Sequence, residues 1–216
     1  MVESKNQARA AVGLTLKGIQ ELLAQRTPNV VGLEQLPHFA VFLPLVERDG
    51  EWQVLFEQRA LHLKRQPGEV CFPGGRIEKE DRNYEEAAKR ETCEELGLSP
   101  GDLECFGPLD FLIESHRAVF PFVGQITHPE RIRPNEDEVG SLFYIPLNAL
   151  KSMKPDKHVV DLLVRPGENF PFDQIPDGRG YMWKRGKLDI YFYYYEDHIV
   201  WGLTARILHH FLELIG

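Results

Sequence analysis

An α+β domain is the fold class this sequence predicts, preceded by an amphipathic helix near the N-terminus. Three observations carry the prediction. Short apolar runs bounded by turn residues recur along the chain and outnumber the helical stretches. The strongest helical pattern, residues 83–96, lies between such runs rather than in a helical block. The 216 residues suffice for one well-packed domain and leave little for a second. Elements interleaved in this way assemble in layers, giving an α+β or α/β/α arrangement.

Residues 5–25 place Val12, Leu14, Leu16, Ile19, Leu22 and Leu23 near helical spacing, so a helix that packs on the main domain or on a partner subunit is expected. Thr27-Pro28-Asn29 ends it and Pro37 marks the entry to the domain, which divides the chain into an extension, 1–29, and a domain, 36–216. Ala40–Val46 and Trp52–Glu57 read as strands, and the Asp49-Gly50 pair between them signals a hairpin. Residues 58–75, with Pro67, Gly68 and Phe72-Pro73-Gly74-Gly75, read as a loop. A helix follows from Asn83 to Leu96. Asn83 with Glu86 forms a capping-box pattern, Gly97 is the stop, and Tyr84, Ala88, Thr92 and Leu96 make the buried stripe. Strands are expected at 103–114, 118–126 and Ser141–Ile145, a polar loop at 127–138, and a short helix at Asn148–Met153. A Pro/Gly-rich stretch, 165–180, precedes an aromatic strand, Asp189–Tyr195, and the chain ends in an amphipathic helix, Val200–Leu214.

Composition removes several function classes. The net charge of −8 argues against a general nucleic-acid binder, which needs a basic surface. No run approaches the roughly 20 apolar residues of a membrane span, and the polar start, Met1 to Ala11, lacks the apolar core of a secretory signal. Cys71, Cys93 and Cys105 are odd in number and have no metal-ligand spacing, so they read as reduced structural thiols in a cytoplasmic protein.

The chemistry concentrates on the central helix. Glu91 and Glu95 are four residues apart and Glu94 is three from Glu91, so the three carboxylates project from one helix face. Like charges at that spacing repel, and the arrangement calls for open solvent or a cation. On its own an acidic helix face is a solvated one. If a cation is present, oxygen-only donors suit Mg²⁺ or Mn²⁺. Gly74 and Gly75 allow the backbone to come close to such a site.

The whole string from Gly75 to Leu98 resembles the Nudix box, with Gly75, Arg90, Glu91, Glu94, Glu95, Gly97 and Leu98 matching residue by residue. It departs in two places. Asp81 stands at the first glutamate position, eight residues rather than seven before Arg90, and Thr92 stands where an apolar residue is usual. Upstream, Arg59, Gly68 and Phe72–Gly75 are similar to the extra signature of the coenzyme A pyrophosphatase branch, with Lys64 in place of an arginine and Ala60 in place of a serine. Val119–Gly124 and Trp201–Leu208 resemble the same branch, as do the lengthened box and its aspartate.

The resemblance implies a Nudix fold, an α/β/α sandwich with a mixed β-sheet, and a metal site formed by Glu91, Glu94 and Glu95. Catalytic roles fall to Glu91, Glu94, Arg90, which orients the carboxylates, and Glu138, at a place where Nudix enzymes carry a loop glutamate that binds metal or acts as base. Asp81 either caps the helix or holds a water. Arg59, Lys64, Arg65, Gly74, Gly75 and Arg76 are the substrate-binding candidates, the cations being suited, with His62, to a 3′-phosphate. The reaction implied is Mg²⁺- or Mn²⁺-dependent hydrolysis of coenzyme A or a derivative to 3′,5′-ADP and 4′-phosphopantetheine. Other readings are ADP-ribose, NADH or a nucleoside triphosphate as substrate, or an inactive ligand-binding module. Expected partners are a small nucleotide and a second copy in a homodimer, with neither nucleic acid nor membrane.

Overall fold

The computed structural model describes residues 15–114 and 116–216. Val12, Leu14 and the rest of the expected helix before Thr15 lie outside the described residues, as does Ser115. The chain divides into two units, Met1–Leu36 and Pro37–Gly216. In the first, helix α1 covers Leu16–Ala24, and its N-cap Thr15 accepts a hydrogen bond from the Gly18 N–H at 3.1 Å.

The second unit is built on a mixed sheet. Strands β1 (His38–Arg48) and β2 (Glu51–Arg59) form the expected hairpin. Asp49 and Gly50 take φ of 53° and 77°, the two positive values that a tight turn matching strand twist requires. β1 also pairs in parallel with β7 (Ala118–Ile126), which in turn pairs antiparallel with β5 (Leu103–Pro108) and β6 (Leu112–Ile113). The segment expected as one strand over 103–114 is therefore two, because the chain leaves the sheet between Pro108 and Leu112.

Residues 58–75 are a loop only in their middle. β2 continues to Arg59, β3 (Val70–Cys71) returns beside it and β4 (Gly74–Arg76) pairs with β1. Proline and glycine masked these strands because each is short and paired on a sheet margin, where tertiary context outweighs propensity. β8 (Val139–Pro146) pairs with β2 along nearly its whole length.

Alternation along the strands separates two faces. One carries Leu43, Leu45, Val54, Phe56, Val119, Val123, Phe143 and Ile145 into a core shared with Leu150 of α3 (Leu147–Ser152) and with Ala205, Ile207, Leu208 and Phe211 of α4 (Gly202–Ile215). The other presents Phe42, Leu55 and Glu57 toward α2 (Tyr84–Leu96). Helices thus cover both faces of the mixed sheet. A second sheet, in the order β11–β10–β9, is formed by β9 (Asp156–Leu162), β10 (Gly186–Tyr195) and β11 (His198–Trp201). β9 and β11 were not expected. Val200 and Trp201 belong to β11, so the final helix starts at Gly202, two residues later than the apolar pattern indicates.

Candidate active site

Helix α2 is held at both ends by groups that also shape the site. Its N-cap, Asn83, accepts from the Glu86 N–H at 2.8 Å. Only half of the expected capping box forms. The Glu86 carboxylate accepts from the Arg82 N–H at 2.7 Å and from its guanidinium rather than closing on Asn83. At the other end, the carbonyls of Glu95 and Leu96 accept from the N–H groups of Asn135 and Arg133, both at 2.8 Å. Those carbonyls have no partner within a helix, so the loop satisfies them and is anchored by doing so. Gly97, at φ 64°, is required there, since a Cβ would overlap the Arg133 carbonyl.

The same anchoring sets the place of Glu138. Its N–H donates to the Asn135 carbonyl at 3.0 Å, and its own carbonyl accepts from Ala60 at 2.9 Å, next to the end of β2. The Glu138 loop is thereby fixed between the C-terminus of α2 and the strand that carries Glu57 and Arg59.

The helix buries Ala87, Ala88, Thr92, Glu95 and Leu96. Tyr84 departs from the expected stripe. It is exposed, stacked on Phe120 with centroids 3.9 Å apart, and its hydroxyl meets His38 Nδ1 at 3.3 Å. The inward face also carries a charge, at the other end of the helix. Glu95 is as deeply buried as the leucines, and Glu57 on β2 is only 2% exposed.

Both buried carboxylates hold their protons more tightly than a solvated one, and Glu138 is the charge that adds to the effect at Glu57. Burial pushes Glu95 well above the usual carboxylate range, with the charge of Glu57 adding to it, and the Gly74 N–H, donating at 2.8 Å, pulls the other way. Burial likewise raises Glu57, against a hydrogen bond from the Cys71 thiol at 3.2 Å and the charge of Arg59. The second oxygen of Glu57, Oε2, is buried without a hydrogen-bond partner, as is Nε of Arg59. Glu91 is also raised, chiefly by burial, and the charges of Glu94 and Glu138 act on it in the same direction.

Gly75 is the contact that brings the backbone to this cluster. A Cβ at Gly75 would overlap the Glu91 carboxyl group, and one at Gly74, where φ is 154°, would overlap the Ala40 carbonyl of β1. The glycine pair thus lets β4 lie against both the sheet and the helix carboxylates.

Arg90 organises the outer side. Its guanidinium grips Asp81 through Nε and Nη2 at 3.0 and 3.1 Å, meets Glu91 at 2.9 Å and Glu94 at 3.2 Å, and donates to the Arg76 carbonyl at 3.2 Å. Asp81 is therefore Arg90's partner and not the helix cap, and that pairing lowers its pKa.

Of the residues singled out in the sequence, the fold gathers Glu91, Glu95, Gly74, Gly75 and Arg90 and brings the Glu138 loop to the same end of the sheet. Glu94 stands apart, with its side chain 57% exposed on the outer turn of α2. That separation follows from the helix, because adjacent residues point about 100° apart. Arg59 is half-buried beside Glu57, whereas Lys64, Arg65 and Arg76 are exposed around the glycine loop. Glu57 was missed. The signal was an acid ending the apolar run Val54-Leu55-Phe56, in phase with the buried Leu55.

Among the described residues, no three His, Cys, Asp or Glu side chains already converge on one ion position. The donor chemistry nevertheless fits a hard divalent cation: oxygen only, buried, mutually repelling, with one oxygen unpartnered. Among the described residues no helix is long and apolar enough to cross a membrane.

The NUDIX domain model matches residues 36–163, more than half of the chain, and the chain belongs to the Nudix family of hydrolases, with the α+β Nudix fold. Among its relatives is the peroxisomal coenzyme A diphosphatase NUDT7 of Mus musculus, 35% identical over 133 residues, which are 61% of this chain and 56% of the mouse protein. The match thus spans little more than half the length of that relative. An uncharacterized Nudix hydrolase, NudL, of Pectobacterium atrosepticum is 31% identical over 188 residues, 86% of each chain. The crystal structure of a MutT/nudix family protein from Enterococcus faecalis aligns with 99% of this chain and 74% of its own, at 15% identity and a TM-score of 0.48.

Proposed function

We propose that residues 36–216 form a divalent-metal-dependent diphosphatase that splits coenzyme A or one of its derivatives into 3′,5′-ADP and 4′-phosphopantetheine or its acyl form. The observation that carries the reading is the buried carboxylate set, Glu57 and Glu95 with Glu91 beside them, closed over by Gly75. Such a set is stable in its charged form only with a cation among its oxygens. Glu57, Glu91 and Glu95 would hold Mg²⁺ or Mn²⁺, with Glu94 reaching it through water. When bound, the ion neutralises the diphosphate and lowers the pKa of a water.

The chain's own residues then do the positioning. Arg90 keeps Glu91 turned toward the cluster by holding it from outside at 2.9 Å. Glu138, raised to the site by the Asn135 turn, accepts the proton of the attacking water. Arg59, Lys64, Arg65 and Arg76 meet the phosphate oxygens, including the 3′-phosphate. The coenzyme A assignment is supported by the Arg59, Gly68 and Phe72–Gly75 signature and by the similarity to the mouse coenzyme A diphosphatase. A reducing compartment such as the cytoplasm suits the three free thiols.

The test is a side-by-side incubation with coenzyme A, ADP-ribose, NADH and a nucleoside triphosphate, with Mg²⁺ or Mn²⁺, and products identified by mass spectrometry. Dominant 3′,5′-ADP and 4′-phosphopantetheine are expected. Cleavage of another diphosphate with coenzyme A untouched would overturn the substrate, and no cleavage with either metal would make the chain a ligand-binding module.

A further inference from the structure

We propose that strand β9 is the contact edge of a homodimer, pairing antiparallel with β9 of a second copy of this chain about a two-fold axis at Val159. β9 is the outer strand of the second sheet. It pairs with β10 on one side, and among the described residues no strand pairs with the other. All seven residues, Asp156–Leu162, are exposed. The two central ones are valines, Val159 at 54% and Val160 at 42% exposure. An edge of this length, with an open row of N–H and C=O groups and apolar side chains at its middle, is a template for another strand.

The charges decide which strand fits. In antiparallel register about Val159, Val159 lies opposite itself, and Lys157 lies opposite Asp161 of the second copy, twice by symmetry. Within the chain Asp161 is already opposite Lys187, and Lys157 already holds Asp189 at 2.7 Å. The two-fold pairing therefore extends a row of alternating sign: Lys187, Asp161, then Lys157 of the second copy with its own Asp189. Each charge gains a neighbour of opposite sign.

Other pairings of the same edge are penalised. Parallel in-register stacking sets Lys157 on Lys157 and Asp161 on Asp161. A one-residue slip of the antiparallel pair turns Lys157 against Val160, since the side chains change faces. The two-fold register about Val159 is the one that sets Lys157 opposite Asp161 twice, and like charges oppose open-ended parallel stacking, which is how a closed dimer differs from a fibre.

Sedimentation equilibrium of the full chain over a range of concentrations should show a dimer. Asp161→Lys and Lys157→Asp should each weaken it at least about tenfold, because two symmetry-related pairs turn repulsive. The double variant should regain the dimer. That recovery can come only from the contact between copies, since the exchange leaves both residues facing like charges within their own sheet. Val159→Cys should link two copies by a disulfide on mild oxidation, with the unsubstituted chain as control for the three native thiols. A monomer at every concentration would overturn the proposal, as would a dimer indifferent to both single charge reversals. Neither result depends on which diphosphate is hydrolysed.

Discussion

At the scale of single residues, Glu57 is the side chain whose environment departs furthest from its chemistry. A carboxylate on a buried strand position, with one oxygen unpartnered, costs folding energy unless something neutralises it. Glu57→Gln removes that charge at nearly constant shape. Turnover should fall about 100-fold or more if the oxygen helps to hold the ion, while the metal-free melting temperature should hold or rise because one of two repelling buried charges is gone. Turnover like that of the unsubstituted chain at saturating Mg²⁺ would remove Glu57 from the site. Gly75→Ala probes the same cluster from the backbone. Its φ is not in the left-handed region, so alanine fits the chain path but its Cβ displaces the Glu91 carboxyl. A displacement of that kind should lower kcat by about 100-fold, with far-UV circular dichroism unchanged.

At the scale of the element, helix α2 carries the site because both its ends are tied to other parts of the fold. Asn83 and Gly97 were legible as its limits, since a capping side chain and a left-handed stop are local chemistry. Asn83→Ala should cost about 1 kcal/mol in denaturant unfolding, with kcat nearly unchanged because the carboxylates lie two turns away. Arg90→Ala should cost about 1 kcal/mol, since Asp81 would lose both of its guanidinium hydrogen bonds and keep only the one from the Glu78 N–H. It should also lower kcat as Glu91 loses its outer restraint. A variant as stable as the parent would mean that water replaces the guanidinium. The buried stripe was legible only in part. Ala88, Thr92 and Leu96 follow the period, but Tyr84 turned outward because Phe120 offers its ring a stacking face at 3.9 Å. No property of the helix sequence encodes that partner.

At the scale of the molecule, the buried carboxylates make stability depend on pH in an unusual direction. Glu57, Glu91 and Glu95 hold protons in the folded state at pH values where the unfolded chain has released them. Metal-free protein is therefore stabilised toward acid and loses that stability as pH rises through the raised values. Asp81 acts oppositely, but its lowered pKa confines that effect to pH below the ordinary carboxylate range. Without metal the melting temperature should drop between about pH 5 and about pH 9. Added Mg²⁺ or Mn²⁺ should reverse most of the drop, because the ion binds the deprotonated cluster. A flat or rising metal-free profile would mean that the carboxylates are solvated.

The sequence by itself determined the α+β class, the first hairpin, the limits of α2, and the Arg90-Glu91 and Glu94-Glu95 pairs of the Nudix box. Each is written in local spacing: period, cap, turn or motif. Only the tertiary structure decided that Glu95 and Glu57 share a buried space while Glu94 faces solvent, that Asp81 belongs to Arg90, and that Asp156–Leu162 is a strand at all. Burial depends on what packs against a residue from elsewhere in the chain. A strand as exposed as β9 exists through its hydrogen bonds to β10 and carries no apolar alternation that a reading of its own residues could find.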